Sequence, residues 1–364
     1  MINSKEVEAT KTENRWYLSA PKTGSADRED LKETATTEMM TQEYAIGIDI
    51  GGTNTVFGIV DHRGEISYRG AISTRKHNDI NDYIDELAGA LAPAIDQVGG
   101  IQSIRGIGIG APNGNYYKGT IEYAPNLPWK GLIPLTQMMT EKFGIPVSLT
   151  NDANAAAVGE MMYGVARGMR DFIMITLGTG VGSGIVANGQ LVYGHDGFAG
   201  ELGHTTIIPN GRLHKGTGLH GSLESYASAT GVALTAIEFL QRDPKQDSLL
   251  RNYAKEEIDS RIVYDCAMQG DAIAREVYEF TGQVLGLALA NFVMFSSPEA
   301  IILFGGMTKA GNLILNPTRE HMEKNLLPIF QNKVKLLFSE LREADAAILG
   351  ASALVWEHKT DKVV

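Results

Sequence analysis

Asn151-Asp152 is where chemistry is most legible in this chain. The pair closes an apolar run, Val147-Ser148-Leu149-Thr150, and the helix-forming stretch Ala153–Met162 follows at once. Ligands of α/β proteins sit in the crevice beyond such strand ends. An Asp placed there can accept the proton of a hydroxyl that attacks a phosphoryl group, and Asn151 can hydrogen-bond a neighbouring hydroxyl. Both residue types are also common helix caps, so the pair alone supports either use. Glu201-Leu202-Gly203-His204 and Glu224 add two carboxylates and an imidazole. Together with Asn151 and Asp152 they suit a polyhydroxyl ligand, whose hydroxyls both donate and accept. His204, His214 and His220 offer a competing use as metal ligands. Zinc usually takes four ligands, often with Cys, and the single cysteine, Cys266, is remote in sequence. His195, His214 and His220 read more simply as loop residues.

Two glycine turns could carry phosphate. A phosphate needs several backbone N–H groups and no Cβ in the way, and Thr adds a hydroxyl. Asp49-Ile50-Gly51-Gly52-Thr53-Asn54 has this form at the end of a strand, and Gly178-Thr179-Gly180-Val181-Gly182 repeats it. Facing one another, the two could clamp a polyphosphate. Asp49 could hold Mg²⁺, through water, since Mg²⁺ keeps much of its hydration shell. Each turn alone is equally an ordinary tight hairpin; two in register favour a nucleotide. Neither has the Gly-Lys-Ser/Thr of a Walker loop. A third pair, Gly305-Gly306, ends the apolar run Ala300–Phe304, where an adenine or ribose could lie, or where a strand simply stops.

The elements that must hold these groups alternate between strand and helix. Strands are expected over Ala45–Asp49, Thr55–Val60 and Glu65–Arg69. Ile80, Ile84, Leu87, Leu91 and Ile95 then recur at helical spacing, with Pro93 expected to kink the helix near its end. Ile104–Ile109 is a further strand. The second half repeats the order: strand Phe172–Leu177, glycine turn Gly178–Gly182, strand Gly184–Ala187, an Asn188-Gly189 hairpin turn, and strand Gln190–Tyr193. The repeat is literal, since Gly52-Thr53, four residues, Gly58-Ile59-Val60 matches Gly178-Thr179, four residues, Gly184-Ile185-Val186. Duplication into two similar lobes is the expectation.

Composition narrows the class. The net charge is −11, with 32 Lys plus Arg against 43 Asp plus Glu, so a general nucleic-acid partner is not expected. Glycine is 41 of 364 residues, above the usual share of about 7%. One cysteine excludes an intrachain disulfide and suits a reducing, cytoplasmic location. The apolar run Val284–Phe295 is too short to span a membrane, which takes about 20 residues, and reads as a buried helix. Residues 1–43 are polar and read as a disordered extension, with Trp16-Tyr17-Leu18 as a small sticky spot.

With these residues assembled, the chain resembles the ROK family of sugar kinases, most closely its bacterial glucokinases. The likeness runs from about Tyr44 onward. Its carriers are Asp49–Thr55, Ala124-Pro125-Asn126-Leu127-Pro128-Trp129, Asn151–Glu160, Gly200–His204, Leu223–Ser228 and Leu303–Gly306. The resemblance implies an α/β protein of two ribonuclease-H-like lobes in the actin-like ATPase fold. The first lobe, with the first phosphate loop, would span 44–150. The second, with the sugar groups and the second loop, would span 151–364, its last helix packing back on the first. It implies Asp152 as catalytic base and Asn151, Glu201, His204 and Glu224 as sugar ligands, with Asn113 and Asn126 nearby. Gly51, Gly52, Thr53, Asn54, Gly178, Thr179 and Gly180 would contact phosphate, and Gly305 and Gly306 the rest of the nucleotide. ATP and Mg²⁺ would be the cofactors, and a homodimer is expected. Many members also bind a structural zinc through the His of the Glu-x-Gly-His motif and three cysteines before the second Glu. Here that stretch reads Arg212–Ser222 and holds no cysteine, so no zinc is expected. Glucose is the first expected substrate; N-acetylmannosamine, N-acetylglucosamine and fructose are alternatives. A sugar-responsive transcriptional regulator is a reading from another class, but the acidic, aperiodic 1–43 segment does not suggest a helix-turn-helix. A non-kinase actin-like ATPase would need no sugar groups.

Overall fold

The computed structural model describes residues 43–357. The expected extension, with Trp16-Tyr17-Leu18, lies outside the described residues except for Glu43. The first half of the described chain runs β1 (Tyr44–Ile50), β2 (Asn54–Asp61), β3 (Ile66–Ser73), α1 (Ile80–Gln97) and β4 (Ile104–Gly110). There follow a small sheet of β5 (Gly114–Asn115), β6 (Thr120–Glu122) and β7 (Leu132–Ile133), then α2 (Leu135–Phe143) and β8 (Val147–Thr150). The second half has α3 (Asp152–Tyr163), β9 (Phe172–Leu177), β10 (Val181–Ala187) and β11 (Gln190–Leu191). It continues with α4 (Glu224–Ala227), α5 (Ala229–Arg242), α6 (Ser260–Met268), α7 (Ala272–Ser296), β12 (Ala300–Phe304), α8 (Asn312–Lys324), β13 (Lys335–Phe338) and α9 (Glu343–Glu357).

Two five-stranded sheets result, β3-β2-β1-β4-β8 and β11-β10-β9-β12-β13. Numbered along each half, both have the order 3-2-1-4-5. In each, the first three strands form an antiparallel meander and the last two join in parallel. Each is one ribonuclease-H-like unit. Parallel strands need crossover connections, and the helices between them supply these and cover the faces. Ile46, Ile48, Leu87, Leu91, Ile107 and Ile109 fill the first core, and Ile173, Leu285, Leu289 and Ile301 lie in the second; all are buried to within 1%.

Several elements differ in extent from the sequence reading. β3 runs on to Ser73, paired through to Asn54. β10 begins at Val181 rather than Gly184, because Val181 pairs with Leu177 and Gly182 with Thr176, so the glycine turn proper closes at Gly180. β11 ends at Leu191, and the chain leaves the sheet so that the Tyr193 ring stacks on Tyr116 at 4.0 Å. Asn188 and Gly189 do form the tight turn, with φ of 55° and 78°. α1 carries Pro93 inside it and continues to Gln97. α7 is twice the expected length. It is the described helix that is long and apolar enough to cross a membrane, but 67% of that window is buried in the protein.

Two helices tie the sheets together through small residues. α9 crosses the first sheet at glycines: a Cβ on Gly47 would stand 2.1 Å from the Ile348 carbonyl oxygen, and one on Gly108 1.8 Å from that of Ala351. α3 crosses the second sheet at Gly182 and Gly184, against Ala153 and Ala157. α3 and α9 meet where Gly159 faces Gly350, whose Cβ would lie 2.6 Å from the Ala155 carbonyl oxygen.

Candidate active site

β8 ends at Thr150, and Asn151 turns the chain into α3 with its Oδ1 accepting from the Ala153 N–H at 2.9 Å. Asn151 is thus the cap. Asp152 is the first residue of α3; one of its carboxylate oxygens also accepts from Ala153 N, at 2.8 Å, and the side chain opens into the cleft. The helix N-terminus favours a negative charge there, while close protein walls desolvate the carboxyl and push its pKa up. Asp49 stands at the end of β1, paired with Gly110 of β4. A Cβ on Gly110 would lie 3.4 Å from Asp49 Oδ1 and 3.5 Å from Asp152 Cα. Both are ordinary contact distances, and Asp49 and Asp152 flank Gly110. Burial, and secondarily the Asp152 charge, raise Asp49's pKa to about 7.

The cleft beyond these strand ends has a volume of about 490 Å³ and is lined by Asn113, Asn126, Asn151, Asp152, Gly178, Thr179, Gly180, Glu201, His204, Glu224, Gly305 and Gly306, among others. The structure thus brings together the groups singled out from both halves. Asp49 and the first glycine turn are not on this wall. The turn reaches it through Gly52, whose Cβ would lie 2.9 Å from the Asn126 carbonyl oxygen. Gly51 N–H is held by Asn54 O at 3.0 Å, and Thr53 and Asn54 are exposed.

The second glycine turn is braced from behind. Gly178 N–H donates to Gly180 O, Ala229 N–H at the start of α5 donates to Gly178 O at 2.8 Å, and Val181 N–H donates to Glu224 Oε2 at 2.7 Å. Glu224 Oε1 meets His214 Nε2 at 3.0 Å. His214, read from sequence as a loop residue, therefore contacts a residue of the cleft wall. His204 Nε2 lies 3.7 Å from Glu201 Oε2, and its buried Nδ1 has no hydrogen-bond partner. Burial raises the pKa of Glu201, with His204 acting in the opposite sense. Asn113 sits at a φ of 53° and spends its side-chain N–H on Glu122 O at 2.9 Å.

A second cavity of about 640 Å³ continues from the cleft and shares Gly178, Thr179, Gly306 and Glu343 with it. Its far wall is Ser260, Arg261, Tyr264 and Asp265 of α6 with Tyr278 of α7. Lys309 and Glu343, paired at 2.5 Å, stand at the junction. The sequence reading missed this wall, because α6 carries no motif. It also missed Gly110, whose only signal is the alternation Gly106, Gly108, Gly110 along β4.

The ROK family model matches residues 45–358, and the chain belongs to that family. It is 36% identical over 326 residues to a glucokinase of Halalkalibacterium halodurans, covering 87% of this chain and 96% of that protein. A xylose repressor of Bacillus spizizenii is 30% identical over 328 residues, covering 88% of this chain and 79% of the repressor. Among solved structures, a ROK family glucokinase from Streptomyces griseus in complex with glucose and AMPPNP superposes with a TM-score of 0.71 at 32% identity, covering 86% of this chain and 99% of that one. The fold is the two-lobed actin-like ATPase fold of ROK sugar kinases.

Proposed function

We propose that this protein phosphorylates glucose at its primary hydroxyl, using ATP. The coarse reading, an ATP-dependent sugar kinase, follows from the likeness to glucokinases over most of both chains. The observation that carries the finer one is the placement of Asp152. It stands at a helix N-terminus in a cleft that joins the polar wall of Asn151, Glu201, His204 and Glu224 to the Gly178–Gly180 turn and the cavity behind it.

In this reading Asp152 accepts the hydroxyl proton as the sugar oxygen attacks the γ-phosphorus, and the bond from that phosphorus to the β,γ-bridging oxygen breaks, its electron pair leaving with ADP. Its raised pKa brings it nearer the working pH of a base. Asn151, Glu201, His204 and Glu224 hold the other hydroxyls, with Asn113 and Asn126 beside them. Gly178, Thr179 and Gly180 cradle phosphate from one side, and Gly51, Gly52, Thr53 and Asn54 close on it from the other. Gly305 and Gly306 floor the passage to the second cavity, which takes the nucleoside. Asp49 would hold Mg²⁺, through water; its carboxylate is a hard oxygen donor of the kind this ion takes. Bound Mg²⁺ would supply charge neutralisation of the phosphates. The first turn lies on the other sheet from Gly178, so alignment requires the two halves to close, which also excludes water. A cytoplasmic homodimer is part of this proposal.

A coupled ADP-release assay over glucose, mannose, fructose, N-acetylglucosamine and N-acetylmannosamine tests it. Glucose should give the highest kcat/KM. An amino sugar or fructose ahead of glucose would keep the kinase and replace its substrate. The likeness to a xylose repressor supports a regulator as a second reading; specific retention of operator-type DNA in a gel shift, with no ADP release on any sugar, would favour it.

A further inference from the structure

The zinc implied by the family resemblance has no fitting donor set among the described residues. Among the described residues no three His, Cys, Asp or Glu come together for a metal. Cys266 is buried in α6. Both ring nitrogens of His214 are taken, by Thr217 Oγ1 at 2.9 Å and Glu224 Oε1 at 3.0 Å. His220 Nδ1 meets Gly211 O at 3.0 Å. The segment just before Glu224 still needs an anchor, since it is a long excursion between the cleft and α4.

We infer that Arg212 is that anchor, a positioning residue that sets Glu224 and His214 in place of a metal. Its side chain is only 9% exposed. Nε and Nη2 grip the two oxygens of Glu238 at 2.8 and 2.6 Å, and Nη2 also donates to Thr235 Oγ1 at 2.9 Å. Nη1 donates to Gly231 O at 3.1 Å and to Ser225 O. The guanidinium lies 4.6 Å over the Tyr226 ring, and Arg212's own N–H donates to Tyr226 Oη at 2.6 Å. Gly231, Thr235 and Glu238 lie along one face of α5; Ser225 and Tyr226 are the next two residues after Glu224. One cation therefore joins α5, α4 and the loop, as a four-ligand metal would.

The main chain carries that anchorage to the cleft. Arg212 O accepts from Gly221 N at 2.9 Å, and Leu213 bridges His220. Arg212 thus forms the base of a hairpin whose next residue but one, His214, reaches Glu224. Glu224 in turn holds Val181 N–H behind the second glycine turn. Arg is suited to this because its planar fork offers five donors in fixed directions; Lys offers a point charge.

The kinetic arm of the test rests on the sugar-kinase reading; the amide arm does not. Arg212→Met keeps the stem over Tyr226 and removes every guanidinium donor. We expect the sugar KM to rise about 10–100-fold, as small misplacements of binding groups do, with a smaller rise in the ATP KM because Glu224 also braces the Gly178–Gly180 turn through Val181 N–H, and Arg212→Lys falls between. Hydrogen exchange at the Val181 amide should speed up in Arg212→Met, with the β1 and β4 amides unchanged. Purified wild-type protein should carry substoichiometric zinc. Should Arg212→Met not fold, Glu238→Lys repels the guanidinium from an exposed site and should raise the sugar KM more than the ATP KM. Any of four outcomes overturns the inference: unchanged sugar KM in a folded variant, equal rises in both KM values, unaltered Val181 exchange, or stoichiometric zinc whose removal abolishes activity. If wild type phosphorylates no sugar, the functional reading fails, and Val181 exchange still decides the role of Arg212.

Discussion

The first sheet meets its covering helix, α9, backbone to backbone at Gly47 and Gly108, whereas the second meets α3 at Gly182 and Gly184 through alanine methyls. The two glycine turns differ in the converse way. The first is closed on its own backbone, Gly51 to Asn54, and tied to the residues after β3 by Thr74 N–H on Thr53 O and Arg75 Nε on Gly52 O; the second is braced by the Glu224 carboxylate and by the start of α5. Both halves have the same strand order, and the helices and loops that follow the hairpin differ. The first half contributes Asn113 and Asn126 to the cleft, and the second contributes Glu201, His204 and Glu224 with the supports of its glycine turn.

The largest effect should come from the residue at the junction. Asp152→Asn should lower kcat by about 10²–10⁴-fold while sugar binding, read by calorimetry, persists. Near-normal turnover would leave Asp152 a mere acidic residue in the first turn of α3 and remove chemistry from the junction.

The helix contrast is tested by alanine in each sheet. At Gly108 a Cβ meets a backbone oxygen at 1.8 Å, and at Gly184 it meets the Ala157 methyl at 2.7 Å. Gly108→Ala should cost about 3–5 kcal/mol and Gly184→Ala about 1–3 kcal/mol, in the range of overpacked cores. Urea midpoints compare them, and equal losses would erase the distinction.

The turn contrast is sharper at Gly178, where an added Cβ meets nothing within 4 Å. Gly178→Ala should leave stability within about 0.5 kcal/mol and raise the ATP KM about tenfold, since a methyl would stand where backbone N–H groups face phosphate. An unchanged KM would mean the open space is not where phosphate lies.

The smallest effect is electrostatic. Glu160 on α3 is fully buried, bonded by Ser339 Oγ and by Val165 N at 3.0 Å. Burial raises its pKa above the ordinary 4.5. The folded protein thus holds this proton more tightly than the unfolded chain. Its contribution is fully present below about 4.5 and is lost as pH rises through the folded value. Glu160→Gln keeps the acceptor, so its melting temperature should fall less between pH 5 and 8 than that of wild type. Parallel curves would place the titration elsewhere.

Local pattern made much of this legible. Strands β8 and β9 run between the residues the apolar runs indicate, and Asn151-Asp152 is a strand end in sequence and in space. The structure places both members of the pair: Asn151 caps α3, and Asp152, which also accepts from Ala153 N–H, lines the cleft. What escaped depends on long-range contact. Val181 looks like turn because Gly180 and Gly182 flank it, yet its pairing with Leu177 makes it strand. His214 has no motif, and only the fold of the loop aims it at Glu224. Arg212 resembles any surface arginine until α5 is seen to offer Gly231, Thr235 and Glu238 on one face. Gly110 acquires meaning only once Asp49 and Asp152 flank it.

The seating of α9 on Gly47 and Gly108 also sets an order of assembly. The first sheet's strands are among the earliest described residues to leave the ribosome, yet the face they present to α9 stays uncovered until residues 343–357 have emerged. Synthesis at about 5–20 residues per second leaves that face waiting on the order of tens of seconds. During that interval the glycine-lined face of β1 and β4 is a docking slot with no occupant. The first half of this protein is therefore a late finisher, completed by the last helix rather than by its own sequence.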